Sequence, residues 1–88
     1  MYTVIIPAHN EATVIQKTLL TLLGGAAPHE LEVIVVCNGC TDNTPSIVRS
    51  FGPPVSLLET SVASKTVALN LGDAAAQSFP RFYVDADV

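Results

Sequence analysis

Leu31-Glu32-Val33-Ile34-Val35-Val36, running straight into Cys37-Asn38-Gly39-Cys40-Thr41-Asp42-Asn43-Thr44, decides the fold of this 88-residue chain. The first part is a β-branched apolar run of strand length. The second is a polar turn, and Pro45 then opens a short helix through Phe51, with Thr44 to cap it. The same succession repeats on either side. Upstream, Tyr2-Thr3-Val4-Ile5-Ile6 is a strand buried on both faces and closed by Pro7. Ile15, Leu19, Leu22 and Leu23 then form the apolar stripe of an amphipathic helix from Glu11 to Leu23. Asn10 is its expected N-cap, Glu11 answers the positive end of its dipole, and Gly24-Gly25 stops it.

Downstream, Gly52-Pro53-Pro54 breaks the second helix and Val55-Ser56-Leu57-Leu58 is a weaker third strand. Ser64 is the expected cap of a third helix, whose buried stripe reads as Val67, Leu71, Ala74 and Ala75. Pro80 ends that segment, and Arg81 to Val84 reads as a fourth, buried strand. Strand and helix alternate throughout. The fold class is therefore α/β, a Rossmann-like parallel sheet with helices on both faces. The length allows one domain, 1–88, expected to be partial.

The net charge is −4, and Lys17, Arg49, Lys65 and Arg81 are the whole cationic complement. That argues against a nucleic-acid surface, which needs clustered basic residues, but not against a single nucleotide. Met1-Tyr2-Thr3 lacks the basic start of a signal peptide, and no apolar run approaches the ~20 residues of a membrane helix. Cys37 and Cys40 are too few for a disulfide framework. A reducing cytoplasmic setting is expected.

In open α/β sheets, ligands sit outside the carboxyl ends of the strands. His9-Asn10-Glu11, Asn38 to Asp42 and Asp85-Ala86-Asp87 all fall there and are expected to converge on one crevice. Asp85 and Asp87 are two residues apart on an extended backbone and so share a face. Together they suit one hard cation, Mg²⁺ or Mn²⁺, of the kind that accompanies substrate phosphates. The plainer reading is a turn or cap, although two adjacent carboxylates with no cation repel each other. Cys37-Asn38-Gly39-Cys40 admits three readings: a redox pair, half of a zinc site, or a ligand-binding turn acting through Asn38 and the Gly39 backbone. Asp42 is expected to tie its own loop to backbone amides. Lys65, at the start of the third helix, either reaches a diphosphate or is an ordinary solvated lysine.

Taken together, these segments resemble the family-2 glycosyltransferases, whose catalytic domain has the glycosyltransferase A-type fold. Val4-Ile5-Ile6-Pro7-Ala8-His9-Asn10-Glu11 resembles the family's opening strand and turn. Val35 to Thr44 resembles its second-strand segment, Lys65 to Gly72 its third helix, and Tyr83-Val84-Asp85-Ala86-Asp87 its metal motif. The order and spacing also agree, over nearly the whole chain.

The resemblance implies the nucleotide-sugar-binding half of such a domain. Pro7, Ala8, His9, Asn10 and Glu11 would line base and ribose, with Asn38, Gly39, Lys65, Asp85 and Ala86 completing the nucleotide site. Asp85 and Asp87 would hold Mn²⁺ or Mg²⁺. Asn38 stands where the family commonly has an aspartate that bonds the base, which leaves UDP and GDP both open. Cys37 and Cys40 replace the usual Asp and Ser. The implied reaction is inverting transfer of a sugar from a nucleoside diphosphate to an acceptor hydroxyl, the general base lying beyond residue 88. The piece alone is then expected to be inactive and prone to self-association. Its setting is the cytoplasm, or the inner face of the membrane through residues beyond this chain.

Two alternatives from other classes remain: a non-catalytic nucleotide-binding fragment, and a thiol redox protein using Cys37 and Cys40. Nucleotidyltransferases and dinucleotide oxidoreductases are disfavoured, since both place glycines in the turn that here reads Ala8-His9-Asn10-Glu11. The donor sugar and the acceptor are not legible.

Overall fold

A computed structural model describes residues 2–25, 30–77 and 80–86. The elements are β1 (Tyr2–Ala8), α1 (Ala12–Gly24), β2 (Leu31–Asn38), α2 (Thr44–Arg49), β3 (Val55–Thr60), α3 (Lys65–Ala75) and β4 (Arg81–Tyr83). The strands form one sheet in the order β3-β2-β1-β4, every pairing parallel. β1 and β2 pair from Tyr2↔Leu31 to Ala8↔Cys37, so the two longest apolar runs lie side by side in the middle.

That position explains why these strands lack a polar alternation. Side chains alternate across a sheet, and here both faces are covered. On one face Val4, Ile6, Val33 and Val35 pack with Ile15 and Leu19 of α1 and Val48 of α2. On the other, Ile34 and Val36 meet Ala68 of α3. α1 and α2 therefore share a face and α3 takes the opposite one. The chain winds outward from β1 through β2 to β3, then crosses back to place β4 on the far side of β1. The strand order reverses between β1 and β4, and a ligand crevice belongs at that point.

Four expectations need correction. Asn10 does not cap α1: the cap position is Glu11, which makes no side-chain capping bond. Asn10 instead adopts φ of 52°, the left-handed region that asparagine tolerates, and turns its side chain toward another loop. α2 begins at Thr44, so Thr44 is helical and does not cap from outside. The buried face of α3 is Ala68 and Gly72, while Leu71 is 39% exposed. The reason is close approach. A Cβ on Gly72 would lie 2.5 Å from Ile5 Cγ2, so only the smallest side chains fit between α3 and the sheet. Finally, β4 is an edge strand, with Phe82 49% and Tyr83 54% exposed. A three-residue strand bonded only to β1 has no neighbour to cover it. Ser64 does cap α3 as expected, its hydroxyl accepting from Val67 N at 3.3 Å.

Candidate functional site

The carboxyl end of β1 is built by contacts between two loops. Asn10 Oδ1 accepts from Thr41 N at 2.7 Å and from Asp42 N at 3.2 Å. The first amides of α1 are answered by the same loop: Glu11 N donates to Thr44 Oγ1 at 3.0 Å, and Ala12 N to Asp42 Oδ2 at 3.3 Å. The helix is thus capped across 33 positions of sequence rather than by its own flank. Asp42 Oδ1 also accepts from Thr44 N at 2.9 Å and from the Thr44 hydroxyl. These bonds, the Thr44 hydroxyl first, hold the Asp42 carboxyl below its ordinary range.

Asn38, 4% exposed at the end of β2, fixes the other wall. Its Nδ2 donates to Ala8 O at 3.0 Å. His9 Nδ1 lies 2.6 Å from Asn38 O; a carbonyl only accepts, so Nδ1 carries the proton and Nε2 is the acceptor of the neutral ring. Cys40 Sγ lies 3.4 Å from both Ala8 O and Asn10 N, donating to the first and accepting from the second. Gly39 has φ of 64°, and a Cβ there would stand 2.8 Å from Ala63 Cβ, which restricts this turn to glycine.

A cleft of about 250 Å³ opens where these loops meet the end of β4, lined by Pro7, His9, Glu11, Asn38, Lys65, Asp85 and Ala86. Every one of these residues was expected from the sequence. Lys65 Nζ pairs with Asp85 Oδ1 at the cleft, both side chains being largely exposed. An ion pair so open to water adds little to stability, so its interest is the charge it places in the cleft. Three expected residues lie elsewhere. Ala8 is buried and contributes its carbonyl to the wall, Asn10 staples the loops, and Gly39 borders a neighbouring cleft. Asp87 lies outside the described residues.

That neighbouring cleft, about 270 Å³, is lined by Cys37, Gly39, Cys40, Glu59, Thr60 and Ser61. Burial first, then the adjacent Cys40, pushes the Cys37 thiol up to about 12. Such a thiol is protonated at neutral pH and a poor nucleophile, the opposite of what the redox reading needs. Among the described residues no three His, Cys, Asp or Glu side chains gather to hold a metal, which disfavours the zinc reading as well.

Sequence reasoning missed two structural contributors. Thr44 serves α1 as well as its own loop, and Thr18 of α1 donates its hydroxyl to Ala86 O at 2.8 Å. Neither has a local signal, since each partner is distant in sequence.

Residues 3–88 match the family described as glycosyl transferase family 2. The chain belongs to this family. A curated relative, the probable glycosyltransferase YdaM of Bacillus subtilis, is 34% identical over 92 residues, covering 96% of this chain and 22% of that protein. Among solved structures, the mannosyltransferase PcManGT from Pyrobaculum calidifontis, in complex with GDP-Man and Mn²⁺, superposes with a TM-score of 0.87 at 35% identity, covering 98% of this chain and 27% of that one. S. aureus TarS 1-349 in complex with UDP-GlcNAc gives 0.87 at 27% identity, over 98% of this chain and 26% of that one. The family-2 chain thus spans about a quarter of the length of the proteins it matches, and its sheet is that of glycosyltransferase A-type structures.

Proposed function

We propose that this chain forms the donor-binding part of a glycosyltransferase, taking a nucleoside-diphosphate sugar with a divalent cation for inverting transfer to an acceptor hydroxyl. The observation that carries this is the convergence, at the strand-order reversal, of the loops after β1, β2 and β4 with the start of α3 on one polar cleft. PcManGT binds GDP-Man with Mn²⁺ and TarS binds UDP-GlcNAc, which supports a nucleotide-sugar ligand without choosing the base.

In this reading Pro7, His9 and Glu11 line the base and ribose, with His9 Nε2 and the Glu11 carboxylate as acceptors. Ala8, Asn10 and Gly39 hold the walls in place. Asn38 presents its amide at the wall nearest the base. The donor set fits a hard cation: Asp85 offers carboxylate oxygen at the cleft, and Mg²⁺ or Mn²⁺ is ordinarily held by one or two carboxylates plus substrate phosphates rather than by an all-protein cage. Asp85, with Asp87, is the assigned holder. The cation would offset charge growing on the departing diphosphate. Lys65, already at Asp85, would place a second positive charge beside the same group.

In keeping with the family resemblance, the base that deprotonates the acceptor is assigned beyond residue 88; Asp85 is a poor substitute, since a cation-bound carboxylate is a weak base. The chain alone would then bind donor without turnover, at the cytoplasmic side or at the inner face of a membrane. Among the described residues no helix is long and apolar enough to cross a membrane.

Calorimetric titration of UDP and GDP, with and without Mn²⁺, tests the reading. Metal-dependent binding of either nucleotide supports it and names the base; a folded sample that binds neither counts against it. Asp87→Ala is expected to abolish the metal-dependent increment while leaving the thermal midpoint in place. Unchanged affinity in that variant would remove the metal role.

A further inference from the structure

The β1–β4 register ends at Ile5↔Tyr83, and Val84 N then donates to Ile5 O at 3.0 Å. Asp85 and Ala86 lie beyond that ladder, yet they line the cleft. Two side chains reach them from opposite faces of the sheet. From α3 comes Lys65, whose pair with Asp85 is exposed on both sides and so holds loosely. From α1 comes Thr18, whose hydroxyl donates to Ala86 O at 2.8 Å. Ala86 is 2% exposed and belongs to the core cluster that contains Ile15 and Leu19 of the same helix.

A threonine inside a helix usually bonds its hydroxyl back to the carbonyl one turn earlier, and it is a weak helix former. Thr18 bonds instead to a residue 68 positions away. Its hydroxyl thus serves the loop rather than the helix.

We propose that Thr18 is a positioning residue: its hydroxyl fixes the Ala86 carbonyl and thereby the direction in which Asp85 enters the cleft. α1 carries this bond in its middle and, at its first amides, the bonds to Asp42 and Thr44. One rigid helix therefore sets the loop after β4 relative to the loops after β1 and β2. A cation held by Asp85 and a nucleotide held by the other loops keep their separation only while that bond stands. The consequence for ligand binding rests on the donor-site reading above; the consequence for the loop does not.

The test compares Thr18→Val, which keeps the shape and removes the donor, with Thr18→Ser, which keeps the donor. Backbone order parameters of Asp85 and Ala86 are measured by nitrogen relaxation, and UDP and GDP affinities with and without Mn²⁺. In Thr18→Val the order parameters at these two residues should fall from about 0.85 toward about 0.6, with β1 unchanged. Metal-dependent affinity should fall about tenfold, metal-free affinity should hold, and Thr18→Ser should restore both. Unchanged order parameters overturn the proposal. So does an affinity loss equal with and without Mn²⁺, which marks general destabilisation. If Thr18→Val fails to fold, Thr18→Ser still decides: looseness at Asp85 and Ala86 with the donor retained overturns the assignment. A wild-type chain that binds neither nucleotide overturns the donor-site reading, and the order parameters then judge Thr18 separately.

Discussion

Asn38 has one amide and two tasks. Its nitrogen donates to the Ala8 carbonyl, and its side chain also borders the cleft. Asn38→Ala should therefore weaken nucleotide binding and lower stability together. Loss of the donor to a buried carbonyl costs about 1–3 kcal/mol. Cys40 Sγ still reaches Ala8 O, so the low end, about 1 kcal/mol, is expected in urea unfolding. Equal affinity losses for UDP and GDP would mean that Asn38 does not select the base. Replacing both Cys37 and Cys40 by serine should leave nucleotide binding nearly unchanged, since a hydroxyl can take over the two bonds of the Cys40 thiol. Loss of binding would mean that the sulfurs do more than pack and bridge. Asp42 contributes differently, through pH. Its folded value is depressed below 3.8 by bonds from Thr44 and Ala12, so the unfolded chain takes up the proton more readily. That stabilisation is complete above the unfolded value and disappears as pH falls through the lower folded one. In Asp42→Asn the acid limb of stability against pH, followed from about pH 5 downward, should lose part of its slope.

Gly72 sets how closely α3 lies on the sheet. Gly72→Ala brings two opposed effects. Helix propensity favours alanine by about 1 kcal/mol. Against it, the new Cβ would stand 2.5 Å from Ile5 Cγ2 and 3.4 Å from Val36 Cγ2, and overpacking of this kind costs about 1–3 kcal/mol. Ile5 is fully buried and has little room to yield, so the balance falls on destabilisation. A lower denaturant midpoint is expected; a higher one would mean that α3 can shift outward freely. The same geometry explains why the hydrophobic stripe of α3 and its buried face differ. Leu71 and Val67 look like a core face by hydrophobicity, but the sheet admits only Ala68 and Gly72. The N-terminal cap of α1 departs from its local signal for a related reason, because Thr44 and Asp42 cap it from another loop, while Gly24-Gly25 ends the helix as expected.

At the scale of the molecule, the sheet formed by the described residues has two edges, β3 and β4, and β4 is the more exposed in its large side chains. Phe82 and Tyr83 are half exposed there, with Tyr2 and Phe82 in an edge-to-face contact at a centroid distance of 5.5 Å. Arg81 and Tyr83 both bond Asp73 of α3, which secures the strand from one face, while among the described residues no strand lies beyond it in the sheet. Unpaired strand edges with apolar side chains recruit further strands. Concentration-dependent self-association of the isolated chain is the expected outcome in sizing experiments, and a monodisperse monomer across concentrations would contradict it.

Read from the residues alone, the chain already shows the alternation of strands and helices, their parallel arrangement, and the polar segments after β1, β2 and β4 at the carboxyl ends of the strands. Those features follow from local periodicity, from turn residues and from the handed rule of strand crossovers. Packing between distant segments settles the rest: Asn10 staples a neighbouring loop, α3 approaches through Gly72, β4 lies at an edge, and Thr18 holds Ala86. Each of those is a contact between segments far apart in the chain, as in the 31 positions from Asn10 to Thr41 and the 68 from Thr18 to Ala86. Propensity and period register what a residue does to its own turn of backbone. Which distant group meets it is fixed by packing alone.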